Sequence, residues 1–179
     1  MPVPLQYRGP AGVDDMSAFN ARTNVTWKGD MLFRIYHHDG KLYYIKVGGS
    51  KNQNAAIHFG LIGAIWAHFA SKRNARKTQE LLSDIAGATP DQLMPLDKVN
   101  HFVEVSHITE PAINPRSFWS GATFGSFTFR NAKGKKRTFT FDDGHNFQAA
   151  LARLTEAFGN RLTVNAKWDD LKGKVVKIA

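Results

Sequence analysis

Seven histidines are the first residues in this chain whose chemistry could matter, because imidazole binds metals and moves protons near neutral pH. Their spacing argues against a shared ion. His58 and His68 lie ten residues apart, which separates them by about 80° around a helix at roughly 100° per residue. His37 and His38 are adjacent, and adjacent residues on a strand point to opposite faces. His101 and His107 would share one face of an uninterrupted strand, but too far apart along it for one ion. There is no H-E-x-x-H and no cysteine. Neither a zincin-type helix nor a thiolate site can therefore be built. The expectation is no metal and no cofactor.

The other catalytic patterns are incomplete. Gly48-Gly49-Ser50-Lys51 has the flavour of a phosphate loop, but its lysine follows the serine and the full spacing is missing. No G-x-S-x-G elbow occurs. Asp14-Asp15, Asp142-Asp143 and Asp169-Asp170 are acidic pairs expected in loops. Asp142-Asp143 best serves as the cap of the helix that follows it. No base, nucleophile and orienting group stand together, so the chain is read as a binding protein and not as an enzyme.

Charge is more telling than chemistry. The 179 residues carry a formal net charge of +9, which asks for an acidic partner. Two clusters concentrate the cations. Lys72, Arg73, Arg76 and Lys77 follow the apolar stretch Ala55 to Ala70. Lys133, Lys135, Lys136 and Arg137 surround Gly134 between two strand patterns. Phe118-Trp119 sits in a loop, where Trp119 could anchor at an interface or stack on a base. Four lysines (Lys167, Lys172, Lys174 and Lys177) mark the last residues. Three partner classes follow. One is an anionic lipid surface or an acidic protein. Another is nucleic acid. The third is a second copy of the chain, met through the 55–70 helix at Gly60 and Gly63. The bland alternatives are a solvated helix end for 72–77 and a lysine-guarded edge turn for 133–137.

The elements that must position these residues read as follows. Residues 1–30 are an arm, rich in proline and glycine, with a short strand at 23–27. A single domain spans 31–162, and 163–179 is a basic tail with a further strand at Val175-Val176. Met31 to Tyr36 and Lys41 to Val47 are strands joined by Asp39-Gly40, the signature of a type I′ hairpin. Gly48-Gly49-Ser50 ends the second strand. A helical insertion occupies 53–96, its last part opened by Thr89-Pro90-Asp91-Gln92, a capping box. Its 55–70 portion is shorter than the roughly 20 residues of a spanning helix. With no basic and apolar leader at the start, the location expected is cytoplasmic, peripheral at the inner face of the membrane.

Alternation resumes at Val99 to Ser106, and Pro111 places a bulge or an edge between Ile108 and Ile113. Phe127, Phe129, Phe139 and Phe141 share parity on two neighbouring runs, which predicts one buried aromatic face. Phe147, Ala150, Leu151, Leu154 and Phe158 form the stripe of an amphipathic helix that Gly159 stops.

From Phe102 to Arg161 this order resembles the second half of a bacterial pleckstrin-homology-like (GRAM-like) domain. The matching features are the Ser106-His107-Ile108 step, the Gly125-initiated strand, the Lys133-Gly134-Lys135-Lys136 turn and a strand that feeds directly into the last helix. The resemblance implies an α+β fold, in which a bent antiparallel sheet or half-open barrel is closed by the C-terminal helix. It also implies a non-enzymatic binding module. The first hairpin departs from lipid-binding members: its two-residue turn carries only Lys41 and Lys46 beside His37 and His38.

Overall fold

Residues 18–25, 29–50, 89–117 and 124–178 are described by the computed structural model. They form an α+β structure on one bent, mixed sheet of eight strands. The first meander contains β1 (Ala18–Val25), β2 (Gly29–His38), β3 (Lys41–Ser50) and β4 (His101–Glu104). The second contains β5 (Thr109–Asn114), β6 (Ser126–Arg130) and β7 (Lys136–Thr140). In space the order is β4-β3-β2-β1-β7-β6-β5-β8, where β8 is Thr163–Val164. The meanders meet where Arg22 of β1 pairs with Thr140 of β7. The sheet ends in two edges, β4 and β8, so it does not close into a barrel.

Local chemistry accounts for these elements. Asp39 and Gly40 both adopt positive φ, 47° and 66°, the backbone a type I′ turn demands. The four phenylalanines of β6, β7 and the residue after it are all buried, and Phe127 stands directly opposite Phe139. Pro111 lies in an irregular part of the β5–β6 register, between Thr109 and Ala112, where Glu110 takes φ 52°. A bulge is where a strand can accommodate a residue without an N–H.

After β7, α2 (Gly144–Phe158) starts at Asp143, whose carboxylate accepts from the Asn146 N–H at 2.7 Å. Its stripe of Phe147, Ala150, Leu154 and Phe158 is buried in the same core as the strand phenylalanines. Each such aromatic or leucine contributes roughly 1.5–3 kcal/mol by leaving water.

Several expectations shift. Residues 18–25 are not part of an arm that ends at residue 30. They form β1, central in the sheet, with Phe19 and Ala21 fully buried. Residues 163–179 are not merely a basic tail. They supply β8 and a separate ribbon of β9 (Ala166–Asp169) and β10 (Lys174–Lys177), and Ala166 and Val175 join the core. β8 runs parallel to β5, so the sheet is mixed and not purely antiparallel. Gly48 to Ser50 continue β3 past a register shift opposite Leu32 and Phe33. A side chain at Gly49 would meet the Asp30 carbonyl oxygen, which is why glycine is needed there. Only the end of the expected 53–96 insertion is described: α1 (Pro90–Leu93) and a 3-10 turn at Met94–Leu96.

The ribbon docks by Trp168, whose ring fills the space a Cβ at Gly144 would need. Gly144→Ala is expected to destabilise the fold by about 1–3 kcal/mol through overpacking. In a Trp168→Ala background the same substitution should cost clearly less. Chemical denaturation of the four proteins of that cycle reads the coupling. Equal costs in both backgrounds would separate Trp168 from Gly144.

Candidate functional site

The basic turn between β6 and β7 is built by one asparagine. The Asn131 side-chain oxygen accepts from the Lys133 and Lys135 N–H groups, at 3.1 and 3.0 Å. Its own N–H donates to the Lys135 carbonyl at 3.1 Å, and the Gly134 N–H donates to the Asn131 carbonyl at 2.7 Å. Gly134 takes φ 70°, open to glycine and costly for residues with a Cβ. Arg130 holds the turn from below, with Nη1 donating to the Gly134 carbonyl at 3.1 Å. With the backbone satisfied internally, the side chains of Lys133, Lys135, Lys136 and Arg137 are left in solvent. Among the described residues none of these four has an ion-pair partner. Arg130 differs, because Glu110 neutralises it at 2.9 Å.

Strand direction decides what lies beside the turn. β1 is antiparallel to both β2 and β7, and β2 to β3. The end of β1, the start of β2, the end of β3 and the start of β7 therefore share one edge of the sheet. The exit of β3 at Ser50 thus sits on the same edge as the basic turn. Asp39, Asp142 and Asp143 lie at the opposite edge, where β2 turns into β3 and β7 ends. Asp142 is paired with Arg22 at 2.6 Å. Of the described acids on the basic edge, Glu110 is bound to Arg130, and Asp30 opens β2.

Between the two meanders a layer of rings closes the core. Tyr44 stacks on His101, with centroids 4.9 Å apart and planes 9° apart, and on Phe139 at 5.1 Å. Phe33 meets Tyr44, His101 and Phe139 edge-on at 6.1–6.3 Å. Burial pushes the Tyr44 hydroxyl far above its ordinary pKa, and the nearby Arg137 charge opposes that only in part.

The outer face of β2 and β3 is covered by a smaller core. There Leu93 and Met94 pack on Ile45, Val47, Leu32 and Tyr36. Asn100, itself buried, fastens this layer. Its side-chain oxygen accepts from the Lys46 N–H at 2.8 Å, and its amide donates to the Leu93 carbonyl at 2.9 Å. Lys46 Nζ and the Asp97 carboxylate meet at 2.9 Å, and the Val99 N–H donates to Asp97 at 2.9 Å. These contacts hold the Asp97 carboxyl below the usual range, the Lys46 hydrogen bond most strongly.

Of the expected site residues, Lys133, Lys135, Lys136 and Arg137 form one exposed group. Lys72, Arg73, Arg76, Lys77 and Trp119 lie outside the described residues, as does the 55–70 helix. His37 and His38 do point apart: His37 lies 4.0 Å from Glu156, and His38 lies 3.4 Å from Asp39. His101 and His107 do not share a strand face, because the chain turns into a 3-10 helix at Val105–His107. Among the described residues, no group of three or more His, Asp or Glu is placed to hold a metal ion. No helix among them is long and apolar enough to cross a membrane. Tyr44, Asn100 and His101 escaped the sequence reading as a unit, since only the β3–β4 register brings them together. Set against protein-family models, curated proteins and solved structures, the chain matches none.

A carboxylate with a lowered folded-state pKa contributes stability that is present above its unfolded value. That contribution is lost as pH falls through the folded value. Asp97→Asn is therefore expected to flatten the acid limb of the stability curve below about pH 4. Near pH 7 it should cost a modest amount, about 1 kcal/mol or less, because the pair is partly in solvent. Melting temperature against pH for both proteins checks this. Parallel acid limbs would mean that Asp97 does not titrate as described.

Proposed function

We propose that the chain is a non-enzymatic binding module on a pleckstrin-homology-like framework. It docks its basic edge against an anionic surface, foremost the charged headgroups of a membrane. The observation that carries this reading is the β6–β7 turn. Four cations in five residues project from a rigid backbone, and none is neutralised among the described residues. The separation of Asp39, Asp142 and Asp143 to the far edge supports the same orientation. The framework is supported by two meanders joined through β1 and β7, with a final helix that packs into their shared core.

Juxtamembrane cations contribute about 1 kcal/mol each near an anionic surface. Replacing Lys133, Lys135 and Lys136 by glutamine is expected to weaken binding to phosphatidylserine-containing vesicles on the order of 100-fold. Neutral phosphatidylcholine vesicles should bind neither protein. The wild-type affinity should fall steeply as ionic strength rises through about 0.15 M, where screening reaches roughly 8 Å. Vesicle co-sedimentation reads all three. Equal binding of wild type and triple variant would remove the turn from the interface. Binding to DNA or RNA with a steep salt slope and none to vesicles would favour a nucleic-acid partner.

A further inference from the structure

β4 ends the sheet, and its register fixes which of its backbone groups face outward. The Val105 N–H donates to the Gly40 carbonyl at 2.8 Å, and Val103 and His101 stand opposite Leu42 and Tyr44. Hydrogen-bonded pairs alternate along an antiparallel ladder, so Val103 and His101 bond β3. The intervening Phe102 and Glu104 turn their N–H and C=O groups away from it. Among the described residues nothing bonds these outward groups. Open edges are commonly guarded by proline or by a bulge. β4 has neither, and it keeps unbroken register with β3 from His101 to Glu104. At its centre Phe102 is 45% exposed. Its ring rests against Tyr43 at 5.7 Å, and Lys41 Nζ lies over it at 4.7 Å. The strand's end is pinned, since Arg161 Nη2 donates to the Val105 carbonyl at 3.1 Å.

We infer that β4 accepts an extended acidic segment of a partner protein, which adds a ninth strand to this sheet of eight. In such pairing the backbone bonds give affinity and alternate side chains give specificity. An apolar residue of the added strand lies beside the exposed part of Phe102. The partner's charge follows from the edge itself. Lys41, Lys98 and His101 stand on or beside β4, and neither lysine has an ion pair among the described residues. Glu104 is turned to His107 at 3.5 Å. A second copy of the chain would bring another +9 to the same edge and be repelled. Acidic residues on either side of the apolar one instead meet Lys41 and Lys98. β4 has only four residues, so the grip is weak and transient. This edge lies in the first meander, apart from the β6–β7 turn.

Blocked peptides of sequence Glu-Glu-Thr-X-Thr-Glu-Glu, with Val, Leu or Phe at X, are the probes, read by fluorescence anisotropy on the full chain. At least one should bind. N-methylation of that peptide at X and at the glutamates next to threonine should weaken it by about tenfold or more, as should replacing its glutamates by lysine. Phe102→Pro removes an outward N–H and leaves the β3 ladder intact. It should bind the peptide about tenfold more weakly, yet keep its binding to phosphatidylserine-containing vesicles. Replacing Lys133, Lys135 and Lys136 by glutamine should keep the peptide and lose the vesicles, so the two surfaces fail separately. Should Phe102→Pro not fold, the N-methylated peptide on wild type decides the same point. Amide exchange by NMR is the second readout: in the free chain Phe102 and Glu104 should exchange faster than His101 and Val103, and slow when peptide is added. The inference is overturned if no peptide binds, if N-methylation changes nothing, or if the glutamine triple variant abolishes peptide binding. It is also overturned if Phe102 and Glu104 are already protected in the free chain, by its own residues or, with a dependence on concentration, by a second copy.

Discussion

The fold depends on one contact, the meeting of two meanders across Phe139. The meanders share a backbone joint at Arg22 and Thr140, which is too narrow to set their relative angle alone. The angle is held by rings. Phe139 touches Phe33 and Tyr44 from the first meander and stacks with Phe129 within its own, at 6.2 Å. Offset and edge-on aromatic pairs are directional as well as apolar. They therefore act as a hinge pin where a purely aliphatic seam would slide. The rest follows from that angle: the bend of the sheet, the slot filled by α2, and the orientation of the β6–β7 turn.

The electrostatics inherit this geometry. A turn rich in lysine on a flexible loop would only aid solubility. Here Asn131 and Arg130 bond the turn's backbone groups, and its four cations stand in solvent without an ion pair among the described residues. Antiparallel pairing then sets Asp39, Asp142 and Asp143 at the strand ends opposite the turn. This placement depends on strand order and is invisible to net charge. A protein of the same composition with another topology would scatter the same cations.

Legibility in the sequence tracked how local each signal is. The Asp39-Gly40 turn, the parity of the four phenylalanines, the stripe of α2 and its Asp143 cap are short-range patterns, and each was readable. β1 was not. Its inward positions are Phe19 and Ala21 among Asn20, Arg22 and Thr23, too small and polar a set to stand out beside the glycines and prolines before it. From 163 onward, the strand at Val175-Val176 was readable and lies in β10, while β8 and β9 were not. Ala166 is a small residue between Asn165 and Lys167, and its burial comes from distant partners. The cations of the turn were legible by type, but their company was not. The Tyr44–His101–Phe139 stack needs the β3–β4 pairing and the meeting of the two meanders at once.

In the proposed function the chain meets an anionic surface with the edge that carries the β6–β7 turn. Hydrogen–deuterium exchange of the full chain, alone and on phosphatidylserine-containing vesicles, tests it most directly. New protection is expected in peptides covering 131–137, with α2 and the Asp39-Gly40 turn unchanged. Protection centred on α2 or on the acidic edge, with 131–137 exchanging as in the free protein, would contradict it.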